Sequence, residues 1–480
     1  MKKILSLLLL SAFIAAAKPI EPTLLDLKII SHTFNEEYDQ AKKICEEQIK
    51  LNPSSPKYYY YLINTKILEY YQKVAELDLE KRDEGRKTLN KEIIDYCESV
   101  MEKFDESKLN LENKFYLGTI YPYAARIYGI DGSWWSAFKS GKKAKLMMKE
   151  ILKSDPQFYD SYLVLGMIEY YADRMSGVTG FIAGILGLSG DREKGLSHLQ
   201  LAYEKGKLTF GQSALTLIEV YSNLEGNEYA ALTYFESFLN RFPHNQRTIN
   251  AYCHVLMNIW DFKKAGNIIK NDKQNLIDDY ARARFYDIKG DSKFAIQYGE
   301  SALNNEKKLY RGGGAAVRYI IVFNSWLIGD YTKVKKYEPA LNDRNKEAFE
   351  NIKKNAVAAK WLRELSIQIA SDKSVNDVEN FTKLEPAFGA ANGFEDQFNL
   401  LIGMFYFKNN LFDKSEQFFN KVVASINERD RSAAMKYLIE IYMQLDVDKK
   451  KVKNLISAID DSKNNRLIYR SRDLEKKYNL

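Results

Sequence analysis

The chain has 480 residues, of which 45% are hydrophobic, enough to bury a large core. Its 9 prolines and 25 glycines are too few for the frequent turns of an all-β protein, so the composition favours helices. The formal net charge of +7 is small for this length and by itself predicts no nucleic-acid binding.

The chain begins with a pattern typical of an export signal. Lys2 and Lys3 precede an apolar run over residues 4–14, and residues 15–17 are all alanine, which a signal peptidase accepts. The run is shorter than the ~20 apolar residues that a permanent membrane helix needs. We therefore expect residues 1–17 to be the cleaved signal peptide of an exported bacterial protein. Its expected location is periplasmic or extracellular, in association with the cell envelope.

The three cysteines are scattered along the chain. Cys45, Cys97 and Cys253 form an odd set without a disulfide-type spacing. We expect them to be small buried core residues rather than a disulfide framework.

The pattern of the tetratricopeptide repeat (TPR) recurs along the chain. This repeat is a helical hairpin whose first helix carries Leu-Gly and then Tyr, and whose second helix alternates small and large residues. Leu117, Gly118 and Tyr121 fit the first helix, and Ala231 and Ala265 are 34 residues apart, one repeat length. One uninterrupted repeat is formed by Ile402, Gly403, Tyr406, Ser415, Phe419 and Val422.

These repeats predict an all-α fold, a TPR-like superhelical solenoid of about nine to eleven hairpins. The alternative is an ordinary helical bundle. A Gly-rich break at Tyr310–Gly314 predicts a boundary between an N-terminal array over 18–310 and a C-terminal array over 311–480. The residues after Asn464 are expected to form a capping helix.

An apolar insertion at residues 175–190 interrupts the N-terminal array. It contains no charged residue and includes Phe181, Ile182, Ile185 and Leu186. The segment is too short to span a membrane, so we expect it to pack on the array as a lid. The alternatives are a docking surface for a partner and a peripheral membrane contact.

The insertion ends in the sequence Gly190-Asp191-Arg192-Glu193-Lys194-Gly195-Leu196. Over residues 160–202 the chain resembles the tetratricopeptide-repeat-39 family and its relatives, the mitochondrial outer-membrane inclusion-clearance proteins, which carry a similar Gly-Asp-Arg-x-x-Gly-Leu motif after an apolar stretch. The resemblance implies a TPR fold and a non-catalytic role, and it supplies no catalytic residue. Independently of it, Asp191 is suited to cap a helix and Gly195 to allow close packing.

Motifs for catalysis or cofactor binding do not emerge from the sequence. The glycines at 184, 187 and 190 are not followed by the Lys-Ser/Thr of a phosphate-binding loop. The histidines show no paired metal-ligand spacing. We therefore expect no catalytic residue, metal or cofactor, and no enzymatic activity.

Aromatic and arginine side chains on the first helices are the candidates for partner binding. Counting along the repeats places a tyrosine of each first helix towards the concave groove. An arginine follows at the same repeat position in both helices and could donate hydrogen bonds beside the ring. Two tryptophans beyond the next turn form a rim or a core plug. The candidate residues are Tyr123, Arg126, Trp134, Trp135, Tyr170, Tyr171 and Arg174.

Two classes of function remain open. The favoured hypothesis is a protein-protein interaction scaffold that binds a peptide or protein partner in its concave groove and binds no nucleic acid. The alternative is an all-helical enzyme or binding protein acting on a glycan or lipid. Paired carboxylates in one enclosed pocket would favour the alternative.

Overall fold

The structure, a computed structural model, describes residues 21–175, 180, 184, 187–188, 190–306, 309, 313–383 and 393–480. The predicted signal peptide, Phe181 and its apolar neighbours in the insertion, and Tyr310–Gly312 of the predicted break lie outside the described residues. Every regular element within those ranges is a helix. The predicted all-α fold is confirmed.

The first of two compact units contains residues 21–33, 37–69 and 87–213 of the described chain. Three of its helices, α1, α3 and α4, extend into the segments 34–36 and 70–86 that group with the second unit. The helices are α1 (Leu24–Phe34), α2 (Tyr38–Leu51), α3 (Lys57–Glu76), α4 (Arg82–Lys103), α5 (Leu111–Ile130), α6 (Trp134–Ser154), α7 (Ser161–Asp173) and α8 (Arg192–Lys205).

Four helices of the first unit pack as two hairpins in chain order. A short turn joins α5 to α6, and these two helices pack against each other, as do α7 and α8. Gly118 of α5 lies so close to α6 that an added Cβ would be 2.5 Å from Met148 Cε. This close approach at the Leu-Gly position is the packing that the TPR pattern predicts.

Local sequence signals explain where these helices begin. Asn110 Oδ1 accepts a hydrogen bond of 2.9 Å from the Asn113 amide at the start of α5. Asp191 Oδ1 accepts a hydrogen bond of 3.0 Å from the Lys194 amide at the start of α8. The predicted N-cap at Asp191 is therefore confirmed, and such a cap typically contributes ~1 kcal/mol.

The second unit contains residues 214–480 of the described chain, together with 34–36 and 70–86. Residues 210–213 of its first helix group with the first unit, and a π-helical segment, Val220–Leu224, follows that helix directly. The helices are α9 (Phe210–Glu219), α10 (Glu228–Arg241), α11 (Gln246–Asn258), α12 (Phe262–Lys270), α13 (Asp279–Lys289), α14 (Ser292–Leu303), α15 (Gly313–Leu327), α16 (Tyr331–Tyr337), α17 (Asp343–Lys354), α18 (Ala356–Ala370), α19 (Val375–Lys383), α20 (Glu395–Lys408), α21 (Phe412–Val422), α22 (Glu428–Gln444), α23 (Lys449–Ser462) and α24 (Asn465–Tyr478).

Gly-Asp pairs form the turns inside two hairpins of this unit. Gly290 and Gly329 have φ angles of +85° and +78°, which favour glycine. Asp330, which follows the second glycine, caps α16 by accepting a hydrogen bond of 3.1 Å from the Lys333 amide. The first turn joins α13 to α14 and the second joins α15 to α16.

The best-formed repeat packs as its pattern predicts. A Cβ on Gly403 would lie 2.6 Å from Cε1 of the Phe419 ring, so α20 and α21 meet at the Gly403 backbone. Ser415 Oγ donates a hydrogen bond of 2.8 Å to the Gly403 carbonyl across the same contact. The Phe419 ring stacks in turn on Tyr437 of α22, with 5.0 Å between centroids. This chain of contacts joins one hairpin to the next.

The last helix covers the end of the second unit. Leu467, Leu474 and Tyr478 of α24 are buried in the same core cluster as residues of α22 and α23. A buried ion pair of 2.9 Å joins Arg470 of α24 to Glu440 of α22. The residues after Asn464 therefore form a helix that packs on α22 and α23.

The cysteines are buried core residues, as predicted. Cys45, Cys97 and Cys253 are all buried and unpaired. Burial raises the pKa of each thiol to about 12.

In the described part of the chain, no helix has both the length and the apolar character required to cross a membrane.

Candidate functional site: an apolar pocket in the first unit

Helices α5, α6 and α7 surround an apolar pocket in the first unit. The pocket has a volume of about 270 Å³, and among its described lining residues only Arg126 carries a charge. It lies where the C-terminal halves of α5 and α7 approach the N-terminal half of α6. The described lining residues are Pro122, Ala125, Arg126, Gly129, Trp134, Ala137, Phe138, Gly141, Met167, Ile168, Tyr171, Ala172, Met175 and Leu188.

Small residues create the space for this pocket. Ala125, Gly129, Ala137, Gly141 and Ala172 lie on three different helices and all border the cavity. Alanine ends at Cβ and glycine lacks a side chain, so none of these residues fills the space between the helices. A longer side chain at one of these positions would occupy the pocket rather than the protein core.

The end of the apolar insertion forms one wall. Leu188 is buried and packs with Phe138, while Ile168 and Met175 lie beside them. A Cβ on Gly141 would be 3.5 Å from Leu188 Cδ1, an ordinary van der Waals contact. Leu188 therefore packs against the array, whereas the predicted lid residue Phe181 lies outside the described residues.

Backbone contacts anchor the residues that follow Leu188. Lys145 Nζ donates a hydrogen bond of 2.8 Å to the Gly187 carbonyl, and the Asp191 amide donates one of 3.0 Å to the Glu169 carbonyl. The Gly190 backbone approaches α7 so closely that an added Cβ would be 1.9 Å from the Asp173 nitrogen. These contacts hold Gly187, Gly190 and Asp191 against α6 and α7.

The buried carboxylate of Glu169 connects α7 to α8. Glu169 is 3% exposed; its Oε1 lies 3.0 Å from Lys194 Nζ and its Oε2 lies 2.7 Å from His198 Nδ1. Burial raises the pKa of this carboxyl, but the neighbouring His198 and Lys194 outweigh burial and hold the pKa below its ordinary value. The carboxylate therefore stays charged at neutral pH and fixes the helix that follows the insertion.

Three of the predicted partner-binding residues line the pocket. Arg126 of α5, Trp134 of α6 and Tyr171 of α7 all border it. Trp134 also stacks on Phe138, with 6.4 Å between ring centroids, and keeps 43% of its surface exposed. The structure thus brings residues from three helices together at one site.

The other predicted residues lie elsewhere. Tyr123 is buried, and its hydroxyl donates a hydrogen bond of 2.9 Å to Asn64 Oδ1. Tyr170 is fully buried, with Arg174 Nη1 3.4 Å from its hydroxyl. Trp135 is 61% exposed and does not border the pocket. A binding role for any of these residues stays a prediction, but they do not share one site.

None of the small residues of the pocket is among the predicted binding residues. Ala137 and Gly141 are four residues apart on α6, and Ala125 and Gly129 have the same spacing on α5, so each pair lies on one helix face. That spacing is a signal for either a cavity or a close helix contact. In the structure Gly118 marks a close contact, whereas these two pairs border a cavity.

The chemistry available at the site is the binding of an apolar group. Apolar walls favour hydrocarbon and aromatic groups, and Arg126 offers donors for one anionic or carbonyl oxygen at the edge. Among the residues that the structure describes, no cluster of three or more His, Cys, Asp or Glu side chains is arranged to hold a metal ion.

Comparison with known proteins adds little. No protein-family model and no curated protein matches the chain. One solved structure that it resembles is described as "Structure of Naa15/Naa10 bound to HypK-THB", with 12% sequence identity, a TM-score of 0.22, and coverage of 91% of this chain and 67% of that chain. A likeness of this strength says nothing about what the chain binds. The TPR-like fold rests on the helix packing described above.

Proposed function

We propose that the chain is a non-catalytic scaffold that binds a protein or peptide partner. An apolar side chain of the partner occupies the pocket between α5, α6 and α7. The observation that carries the proposal is the pocket itself, about 270 Å³ with apolar walls on three helices of two successive hairpins. Buried aromatic or aliphatic anchors in such pockets supply most of the binding energy at many interfaces.

We also propose that the chain is exported and acts in a bacterial cell envelope. The support is the charged, apolar and small-residue pattern over residues 1–17.

We further propose that residues 160–202 are related to the tetratricopeptide-repeat-39 family. It draws support from two motif residues in their expected roles, the N-cap Asp191 and the closely packed Gly195.

N-terminal sequencing of the native protein tests the export proposal. The mature chain should begin at Lys18, because cleavage is expected after the alanine at position 17. Retention of Met1 in the native protein would contradict export by this route.

A pocket-filling substitution tests the binding proposal. Ala137→Phe places a ring in the cavity with little loss of packing, because Ala137 borders empty space. Peptides selected against the wild-type protein from a random phage-displayed library should share a large apolar residue. Their affinity, measured by fluorescence anisotropy, should fall at least about tenfold with Ala137→Phe, as expected when an anchor of ~1.4 kcal/mol or more is lost.

The matched control is Ala75→Phe on the exposed face of α3. It adds the same ring away from the pocket and should leave the peptide affinity unchanged. Both variants should melt within a few degrees of the wild type. Selected peptides that bind Ala137→Phe as tightly as they bind the wild type would place the partner site outside this pocket.

A second candidate is a lipid-binding protein that holds a hydrocarbon chain in the same pocket. The apolar walls favour this ligand over a glycan, which needs hydrogen-bonding groups. Mass spectrometry of lipids retained by the wild type and by Ala137→Phe separates the candidates. A lipid bound to the wild type alone, with no selectable peptide, would favour the second.

A further inference from the structure

A single stripe of exposed residues runs the length of α6. The helix contains six lysines and one glutamate, a large share of the +7 charge of the whole chain. At ~100° per residue, the stripe residues lie within an arc of about 80° on one side of the helix. We define the lysine stripe as Trp135, Lys139, Lys142, Leu146, Lys149 and Lys153, all of them exposed.

The lysines beside the stripe have roles in the fold. On one flank, Lys143 Nζ forms an ion pair of 2.7 Å with Glu106 Oε2. On the other flank, Lys145 is half-buried and donates to the Gly187 carbonyl. These two lysines are therefore explained by contacts within the first unit.

The lysines of the stripe have no such role. Within the described chain, Lys139, Lys142, Lys149 and Lys153 form no hydrogen bond, ion pair or ring contact. Four like charges on one helix face repel each other and do not stabilise the helix. Glu150, the only acid of α6, forms its ion pair with Lys114 and not with a lysine of the stripe. An external anionic surface would relieve this repulsion.

Apolar residues accompany the charges. Trp135 and Leu146 of the stripe are 61% and 56% exposed, and Ile130 and Trp134 are partly exposed at the adjoining turn. Tryptophan concentrates at the boundary between lipid and water, where its ring is apolar and its N–H stays hydrated. An acidic peptide would account for the lysines alone, and a nucleic acid would account for the lysines and, by base stacking, for Trp135. Neither would account for the exposed Leu146 between Lys142 and Lys149.

We propose that the lysine stripe docks the chain on an anionic membrane surface. The four lysines contact lipid phosphates while Trp135 and Leu146 enter the boundary between headgroups and acyl chains. The stripe from residue 135 to 153 is ~27 Å long, so the lysines can engage several headgroups of one leaflet together. This surface is separate from the apolar pocket and does not rest on the function proposed for it.

Vesicle binding tests this proposal with the full-length mature protein. Sedimentation with vesicles of equimolar phosphatidylcholine and phosphatidylglycerol should show binding, whereas vesicles of phosphatidylcholine alone should not. The quadruple variant K139Q/K142Q/K149Q/K153Q should lose on the order of several hundredfold in affinity, at about fivefold for each lysine near an anionic surface. Trp135→Ala should lose several fold and retain its charge dependence.

The matched control is the quadruple variant K346Q/K354Q/K449Q/K453Q, which changes the net charge by the same amount. Its four lysines are also exposed and lie on α17 and α23. It should bind within about threefold of the wild type. A blue shift of tryptophan fluorescence on binding should disappear in Trp135→Phe. An equal loss in the control variant, no binding to anionic vesicles, or binding to heparin without binding to vesicles would each overturn the proposal.

Discussion

Gly190→Ala should destabilise the first unit by about 3 kcal/mol or more. An added Cβ would lie 1.9 Å from the Asp173 nitrogen, 2.2 Å from its Cα and 2.5 Å from the Ala172 carbonyl carbon. All three are backbone atoms of α7, so no side chain can move aside and relieve the overlap. Overpacking typically costs ~1 to 3 kcal/mol and occasionally more. Because the surroundings of Gly190 cannot adjust, we expect a cost of ~3 kcal/mol or above. Urea unfolding followed by circular dichroism measures the difference.

Gly184→Ala is the matched control for this prediction. It is the same change in the same insertion, but no atom lies within 4 Å of its added Cβ. The control should unfold within ~0.5 kcal/mol of the wild type. Equal unfolding curves for Gly190→Ala and the control would mean that Gly190 is not held against α7 in solution.

The helical architecture could be predicted because it depends on spacing. A large apolar residue and a glycine followed by tyrosine mark a helix that approaches its neighbour closely. This pattern occurs at Gly118 and at Gly403, and both glycines make such a contact. The capping residue Asp191 could be predicted for a similar reason, since a cap acts within its own turn. These features depend on residues that are near each other in sequence.

The composition of the candidate site was harder to predict, because side-chain direction changes by ~100° for each residue of a helix. Tyr170 and Tyr171 are adjacent, yet the first is fully buried and the second borders the pocket. An uncertainty of one residue in the repeat boundary therefore exchanges a core residue for a binding residue. Tyr123 was assigned to the groove by the same counting, and it is buried against Asn64.

The pocket itself depends on three helices, and the sequence does not show how far apart they lie. Ala137 and Ala125 are small residues, as Gly118 is, but only the packed structure separates a cavity from a contact. The lysine stripe of α6 differs, because its spacing of three or four residues is visible in the sequence alone. Its significance appears only when the flanking Lys143 and Lys145 are found to be engaged within the fold.

The contact between α7 and α8 provides the second large expected effect. Gly166 of α7 occupies the same repeat position as Gly118 of α5, so alanine at each position is the same change in the same structural context. A Cβ on Gly166 would lie 2.8 Å from the Leu199 nitrogen and 2.9 Å from the Gly195 carbonyl oxygen. Both contacts are with the α8 backbone, which Glu169 and the N-cap Asp191 hold in place.

Gly166→Ala should therefore cost about 2 to 3 kcal/mol, even after the ~1 kcal/mol that alanine contributes over glycine inside a helix. Gly118→Ala should cost less than ~1 kcal/mol. Its Cβ would meet chiefly the terminal methyl of Met148, 2.5 Å away, and a methionine end can change rotamer. Urea unfolding of the two variants measures both values. If the two changes destabilise the first unit equally, α8 must be free to shift away from α7, and the segment that joins them does not hold it.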